Sequence, residues 1–202
     1  MRYAIAPNGI FWSLQGEGHL RGFQMAFVRL AGCSVGCPEC DTDYSVATRM
    51  SADDVCDALS EVMPSSRDAW VWVTGGEPAD RDLRHLLAAI KMRGWSTAVA
   101  TSGSKRLIPP VDWLSVSPHG MNFQQRYGNE IKLVDGMLGG ASLEQWHDAN
   151  PDESSDFLYR YVQPMWKDGG ECRESLGRCL AFLRDRPNWS LSRQDHKWWG
   201  QP

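Results

Sequence analysis

The chain alternates short runs of β-branched or aromatic residues with longer stretches whose apolar residues share one helical face. Six of the short runs are predicted strands, at 25–30, 70–74, 97–100, 113–117, 130–134 and 157–163. Strands that alternate with helices are typical of βα units built around a parallel sheet.

Helices are predicted at 52–62, 82–93 and 171–184, with a weaker one at 143–148. The second helix has apolar residues at the i, i+3, i+4 and i+7 positions, which are Leu83, Leu86, Leu87 and Ile90. Ser51 with Asp54 predicts a capping box for the first helix, and Asp80 is expected to cap the second.

Six strands with three firm helices are too few for a closed eight-stranded barrel. The predicted fold is therefore α/β, an open, reduced (partial) TIM-type barrel of about six parallel strands and about three helices. No repeat or linker interrupts the chain, so residues 1–202 are expected to form a single domain. The candidate functional motifs follow the carboxyl ends of predicted strands, where sites of such folds lie.

Composition and charge narrow the function classes. A net charge of −4 and an isoelectric point near 5.7 disfavour a nucleic-acid surface, which would carry a basic stripe. No apolar run approaches the roughly 20 residues that span a bilayer, and the amino terminus lacks the pattern of an export signal. A cytoplasmic protein is expected, where clustered thiolates serve metals rather than disulfides.

Cys33, Cys37 and Cys40 lie in one short segment with the spacing C-x3-C-x2-C. Three thiolates can bind three irons of a [4Fe–4S] cluster and leave the fourth iron open for a reaction. Structural zinc is the alternative, but it needs a fourth ligand. Neither Cys56 nor His19 stands at a typical partner spacing, so the sequence favours iron–sulfur over zinc.

Two glycine-containing segments are candidate ligand loops. Segment 74–78, TGGEP, follows a predicted strand, and its paired glycines would let a ligand approach the backbone. Segment 13–18, SLQGEG, suits a loop wrapped on a planar ligand, with Glu17 able to pair with an N–H/NH2 edge. Each segment alone is better explained as a turn, and prolines 118 and 164 alone would only end strands.

Taken in order, these motifs resemble the 7-carboxy-7-deazaguanine synthase family of radical S-adenosylmethionine (SAM) enzymes. The matching segments are 11–18, 29–33, 33–42, 74–78, 116–118, 128–132, 162–165 and 190–197. The resemblance implies a lyase that converts 6-carboxy-5,6,7,8-tetrahydropterin to 7-carboxy-7-deazaguanine with loss of ammonia, in queuosine-type 7-deazapurine biosynthesis. It also implies a radical that takes hydrogen from C6 of the pterin, SAM that is regenerated, Mg²⁺ that assists, a homodimer, and a flavodoxin-like electron donor.

Site residues are carried over from the resemblance position by position. It assigns the cluster to Cys33, Cys37 and Cys40, and Mg²⁺ to Thr42. It assigns SAM to Glu39, Cys40, Asp41, Gly76, Glu77, Ser117, Pro118, His119, Gln163, Pro164, Met165 and Trp166. It assigns the pterin to Leu14, Gln15, Gly16, Glu17, Arg29, Thr74, His196 and Pro202.

The chain departs from the family at two places. His119 stands where many relatives have lysine, and segment 100–103 reads ATSG where the usual strand end reads ETNG. Both departures bear on SAM affinity and leave the cluster and pterin motifs intact. Two other functions stay open, a radical SAM activase that forms a glycyl radical on a partner protein, and a non-catalytic zinc or iron–sulfur module. Segments 14–18 and 190–197 argue against the activase.

Overall fold

The structure is a computed structural model that describes residues 1–38, 40, 42–64, 68–107, 110–121 and 123–202. Glu39 and Asp41, both expected to bind SAM, lie outside the described residues. The strands in chain order are β1 (Tyr3–Leu14), β2 (Gln24–Leu30), β3 (Thr48–Met50), β4 (Trp70–Gly75), β5 (Ser96–Thr101), β6 (Trp113–Val116), β7 (Tyr127–Val134), β8 (Asp156–Gln163), β9 (Trp166–Lys167), β10 (Gly170–Glu171) and β11 (Ser190–Leu191).

The helices are α1 (Ala52–Val62), α2 (Arg84–Met92), α3 (Leu143–Ala149), α4 (Arg173–Leu183) and α5 (Asp195–Trp198). The capping box of α1 is confirmed, because Ser51 Oγ accepts from the Asp54 amide and the Asp54 carboxylate accepts from the Ser51 amide. The cap expected from Asp80 is wrong. Asp80 closes a 3₁₀ turn, Pro78–Asp80, and α2 begins after Leu83 without a side-chain cap.

The six predicted strands form the centre of one sheet, and all of them pair in parallel. The order across this sheet of nine strands is β11-β8-β7-β6-β5-β4-β2-β1-β3. From β2 to β8, these parallel strands lie side by side in the order in which they occur in the chain. This is expected when each connection leads to the neighbouring strand of the sheet. The fold is thus α/β with a mostly parallel sheet, and the predicted strands are confirmed.

The edges of the sheet were not predicted. At one edge β1 pairs antiparallel with both β2 and β3, and at the other β11 adds a short parallel pair to β8. Exposed residues 7 and 8 interrupt β1, whose register to β2 shifts between Ile5 and Ile10. That irregularity hides the strand from a search for regular alternation.

The two faces of the sheet carry different clusters. One face forms the main core, in which Val28 and Val73 pack with residues of α1 and α2. The opposite face carries a smaller apolar cluster made of Leu20, Met25, Phe27, Trp72, Ala98 and Trp113. Arg29 and Thr74 continue this second face at the carboxyl ends of β2 and β4, where they pair across the two strands. Within the described residues, no helix is long and apolar enough to cross a membrane.

Candidate active site

Segment 14–18 forms the start of a closed loop between β1 and β2. The Gln15 amide donates to the Phe23 carbonyl at 2.8 Å, and the Gly22 amide donates to the Gln15 carbonyl at 2.7 Å. The buried Gln15 side chain accepts from the Glu17 amide at 3.1 Å. The loop therefore holds its own shape, and the Gln15 side-chain oxygen contributes to that shape.

The two glycines of this loop fill places where a side chain would collide. A Cβ at Gly16 would stand 2.2 Å from Nδ1 of His196, which is part of α5. Gly18 has a φ of +64°, and a Cβ there would stand 2.5 Å from the carboxylate oxygens of Glu130 on β7. The glycines thus let the loop lie directly against α5 and β7.

The Glu17 carboxylate points into a cluster of donors. Lys132 Nζ on β7 contacts one of its oxygens. Nε2 of Gln163 and Nε2 of Gln194 donate to the other oxygen at 3.1 and 3.0 Å. Burial alone would raise the pKa of Glu17, but the charge of Lys132, the charge of His196 and hydrogen bonds from Lys132 and Gln194 lower it to about 2.

A second buried carboxylate, Glu130, lies two residues before Lys132 on the same face of β7. It accepts from Ser115 Oγ at 2.7 Å and from the His19 amide at 2.8 Å. The His19 ring stacks on Tyr159 with the ring centres 3.7 Å apart. Glu130 therefore fixes the far end of the loop to the sheet.

Sequence reasoning assigned no role to His19, Glu130, Lys132, Ser192 or Gln194. A signal was available for two of them, because Glu130 and Lys132 alternate on β7 within the family motif 128–132. His19 follows the loop directly in the chain, but no pattern indicated which residues it contacts. Ser192 and Gln194 lie within the family motif 190–197, and their positions beside the loop depend on how the carboxyl-terminal segment folds back.

The carboxyl-terminal segment packs on the same loop. The Gly18 amide donates to Ser192 Oγ at 2.9 Å, and the Asp195 amide donates to the Gly16 carbonyl at 3.0 Å. Near the end of the chain, the Gln201 side chain accepts from Ser13 Oγ at 3.4 Å. The structure thus brings His196 against Gly16, and it places the exposed residue Pro202 next to a residue that contacts the end of β1.

The cysteine loop begins at the carboxyl end of β2 and is attached to the TGGEP segment. The Gly76 amide donates to the Leu30 carbonyl at 2.7 Å, and the Glu77 amide donates to the Gly32 carbonyl at 3.2 Å. A Cβ at Gly76 would stand 1.8 Å from the Gly32 oxygen. Arg81 also donates to the Gly32 carbonyl, at 3.2 Å. Gly75 and Gly76 therefore allow the backbone of segment 74–78 to lie directly against the backbone of residues 29–32. This packing accounts for the two glycines even without a ligand.

The three thiols of the loop influence one another. Cys33 and Cys37 are partly buried, Cys40 is exposed, and all are free thiols. Burial, followed by the neighbouring Cys40 and Cys33, raises the pKa of Cys37 to about 11. Across the described part of the chain, no three His, Cys, Asp or Glu side chains are grouped closely enough for a preformed metal site. The chemistry of the donors still suits an iron–sulfur cluster, because all three are free thiols on one loop and thiolates are the ligands of such clusters.

Glu77 was expected to accept from an ammonium group, and its carboxylate already has donors in the protein. It accepts from the Ala79 amide at 2.8 Å, from Thr101 Oγ1 at 2.5 Å and from the Ser102 amide at 2.8 Å. The side chain is buried, with 2% of the residue exposed. Glu77 therefore joins the end of β4 to the end of β5.

The residues expected to bind SAM fall into two groups. Ser117 and His119 follow β6, and His119 lines a cavity of about 350 Å³. The other residues of that cavity are Ser34, Val35, Ser102, Ser104, Lys105, Gly120 and Gln124. It lies between the cysteine loop and the loops after β5 and β6. A larger cavity of about 460 Å³ lies near the amino ends of β6 to β8 and contains no predicted site residue.

Segment 163–166 lies nearer the substrate loop. Besides its bond to Glu17, the Gln163 side chain accepts from Ser192 Oγ at 2.8 Å. The Met165 amide donates to Ser175 Oγ at 2.9 Å, and the Trp166 ring lies 5.3 Å from that of Trp198. Gln163 thus shares partners with the predicted pterin loop. Arg29 lies 4.8 Å from the centre of the Phe11 ring on β1.

Comparisons with known proteins agree on one family name. No protein-family model matches the chain. A 7-carboxy-7-deazaguanine synthase of Synechocystis sp. is 30% identical over 202 residues, covering 98% of this chain and 93% of the relative. That of Caulobacter vibrioides is 32% identical, covering 100% of both chains. The crystal structure of QueE from Escherichia coli superposes with a TM-score of 0.73 at 26% identity, covering 96% of this chain and 94% of that one.

Proposed function

Because this chain belongs to the 7-carboxy-7-deazaguanine synthase family, we propose that it is a radical SAM lyase that forms 7-carboxy-7-deazaguanine from 6-carboxy-5,6,7,8-tetrahydropterin with loss of ammonia. The observation that carries the proposal is the meeting of three segments at the carboxyl ends of the parallel strands. The loop 14–18, the strand end at Gln163 and the tail from Ser192 to His196 share hydrogen bonds there.

Cys33, Cys37 and Cys40 hold the [4Fe–4S] cluster. Their loop is fixed at its start by bonds from Gly76 and Arg81, while the thiols themselves are partly or wholly accessible. Because thiols must lose their protons to bind iron, cluster binding must overcome the raised pKa of Cys37. When bound, the cluster and SAM together supply the radical that takes hydrogen from C6 of the pterin.

Gly76, Glu77 and the segments 117–119 and 163–166 would hold SAM. The cavity that His119 lines also includes Ser34 and Val35 of the cysteine loop, which supports this placement. Three donors hold the Glu77 carboxylate in one position, where it would face the amino group of SAM.

The pterin lies against loop 14–17, with Arg29 and Thr74 beneath it. Arg29 and Thr74 pair across β2 and β4 on the face that carries the second apolar cluster, so the ring would have an apolar floor. A guanidinium suits the pterin carboxylate because it offers two parallel donors. His196 and Pro202 close the site from the tail, and Thr42 would hold Mg²⁺.

Several broader features complete the proposal. The sequential order of the parallel strands supports a partial TIM-type barrel as the description of the sheet. A single domain, a homodimer and a flavodoxin-like electron donor follow from the family. The six free cysteines fit a reducing cytoplasm.

The test is product formation by anaerobically reconstituted protein, with the carboxypterin, SAM and dithionite, followed by mass spectrometry. We expect 7-carboxy-7-deazaguanine, and we expect Cys37→Ala to lose both cluster and product. Cys56→Ala is the matched control, because Cys56 is a buried thiol of α1 outside the loop. A Cys37→Ala protein that retained its cluster and turned over would contradict the assignment. SAM cleavage that required a protein rather than the pterin would favour the activase.

A further inference from the structure

Lys132 lies at the centre of the proposed pterin site, yet nothing so far gives it a role. Its side chain is only 8% exposed. Among the described residues it forms an ion pair with Glu17, whose side chain is 21% exposed. A lysine is rarely buried to this degree unless it is paired. Burial of Lys132 therefore requires the ion pair with Glu17.

The pair joins three separate segments of the chain. Lys132 belongs to β7, and Glu17 belongs to the loop after β1. The other oxygen of Glu17 binds Gln163 at the end of β8 and Gln194 just before α5. The carboxylate thus accepts from three side chains, and at most one of its lone-pair positions is left for a ligand.

We propose that Lys132 is a positioning residue, which holds Glu17 turned toward the sheet so that loop 14–17 presents its backbone to the pterin. The inference rests on the proposed function for the identity of the ligand and deepens it. It reassigns the main role of Glu17 from binding the pterin edge to anchoring the loop that binds it.

A charge argument supports this arrangement. The substrate carries a carboxylate, and an uncompensated Glu17 beside it would repel an anion in a poorly solvated site. Lys132 offsets that charge without approaching the substrate carboxylate, which is left to Arg29. Glu130 cannot substitute for Lys132, because it is itself an acid bonded to Ser115 and His19.

Removal of the lysine should make the loop sensitive to pH. In a Lys132→Met variant the burial of Glu17 is no longer offset by its strongest cationic partner, so its pKa rises. The other titratable groups that face the pair are His196 on α5, Glu130 on β7 and Tyr161 on β8. When Glu17 ionises at higher pH in this variant, its buried carboxylate has lost its lysine partner. The loop should therefore become less ordered with increasing pH.

The experiment combines steady-state kinetics with hydrogen exchange of the peptide covering residues 14–23. For Lys132→Met at pH 8, we expect the KM for the pterin to rise on the order of tenfold or more, with kcat changed much less. The KM should rise further with pH, and the Gly18 and His19 amides should exchange faster. SAM cleavage without pterin should stay at its wild-type rate.

Two further variants make the result specific. Lys91→Met removes the lysine of an exposed ion pair with Asp112, at the opposite end of the strands, and should leave KM and exchange unchanged. Glu17→Gln/Lys132→Met removes both charges, so it should abolish the pH dependence and recover part of the lost affinity. The double variant also guards against a simple loss of folding.

The outcomes separate this inference from the proposed function. A wild-type protein that forms no 7-carboxy-7-deazaguanine would overturn the proposed function, whereas the exchange measurement would still test the ion pair. An active wild type together with a Lys132→Met variant of unchanged KM, pH profile and exchange would overturn the role of Lys132. Additive effects of the two substitutions in the double variant would overturn it as well.

Discussion

Gly16 and Gly18 illustrate what a single residue contributes to this site and how far the sequence reveals it. The sequence predicts that these glycines let a loop wrap on a ligand. The structure adds another reason, because the missing side chains make room for His196 and for the Glu130 carboxylate. Those neighbours come from α5 and β7, distant in the chain, so no local pattern could identify them. The same is true of Lys132 as the partner of Glu17.

Replacement of Gly18 by alanine separates backbone strain from collision. Gly18 and Gly22 both have positive φ, at +64° and +85°, so alanine is strained at either position by about 1–2 kcal/mol. A Cβ at Gly22 meets nothing within 4 Å, whereas one at Gly18 meets the buried Glu130 carboxylate. We expect Gly18→Ala to lower the free energy of unfolding by about 1–3 kcal/mol more than Gly22→Ala.

Urea denaturation of the two glycine variants measures this difference. The pterin KM should rise only for Gly18→Ala, because only that change displaces the loop from β7. Equal stability loss in both variants would mean that Glu130 moves aside without cost and does not fix the loop.

Among the elements, the central strands and the main helices could be predicted because each has a regular apolar period. β2 and β4 to β8 are short, buried and bounded by turn residues, and all six appear as expected. β1 was missed because its register shifts midway, and β3, β9, β10 and β11 are only two or three residues long. The start of α2 was misjudged because Asp80 accepts from Ser34 and Lys105 instead of capping the helix.

The attachment of the cysteine loop to the segment after β4 predicts an effect of Arg81. Its guanidinium donates to the Ala31 carbonyl at 2.7 Å and to the Gly32 carbonyl at 3.2 Å, directly before Cys33. Loss of these bonds in Arg81→Met should destabilise the fold by about 1–3 kcal/mol and speed the loss of iron in air. Visible absorbance and iron content over time measure the second effect.

Arg84→Met is the matched control for Arg81→Met. Arg84 is an exposed arginine nearby whose ion pair is with Asp82, two residues away, and it has no bond to the described residues of the cysteine loop. Its replacement should leave the rate of iron loss unchanged. If both variants lost iron at the wild-type rate, Arg81 would have no part in holding the loop.

For the protein as a whole, the buried ion pair predicts how stability depends on pH. The folded-state pKa of Glu17, about 2, lies below its ordinary value of 4.5. A depressed pKa contributes stability that is fully present above the ordinary value and is lost as the pH falls toward 2. The stability gap between wild type and Glu17→Gln should therefore be largest near neutral pH and shrink below pH 4.5.

Denaturation at a series of pH values measures that gap. Glu61→Gln serves as the control, since Glu61 lies on the surface near the end of α1 and should give a small gap. A gap for Glu17→Gln that stayed constant on acidification would show that the carboxylate is not stabilised by Lys132 in the folded protein.

The sequence predicted the individual motifs of the candidate site, but it did not predict which of those motifs contact one another. The cysteine spacing, the TGGEP segment and the LQGEG loop were visible because each is local. The tail that packs on loop 14–18, and the sharing of Gln163 between that loop and Ser192, depend on the complete fold. Glu77 and Gly76 proved to have structural partners that a motif alone does not reveal.

The most direct test follows hydrogen through the reaction, using the carboxypterin with deuterium at C6, limiting SAM and excess reductant. The account predicts several molecules of 7-carboxy-7-deazaguanine for each molecule of SAM, deuterium appearing at the 5′ carbon of the recovered SAM, and methionine well below product. One molecule of 5′-deoxyadenosine for every product, or SAM consumed with the pterin unchanged, would contradict it.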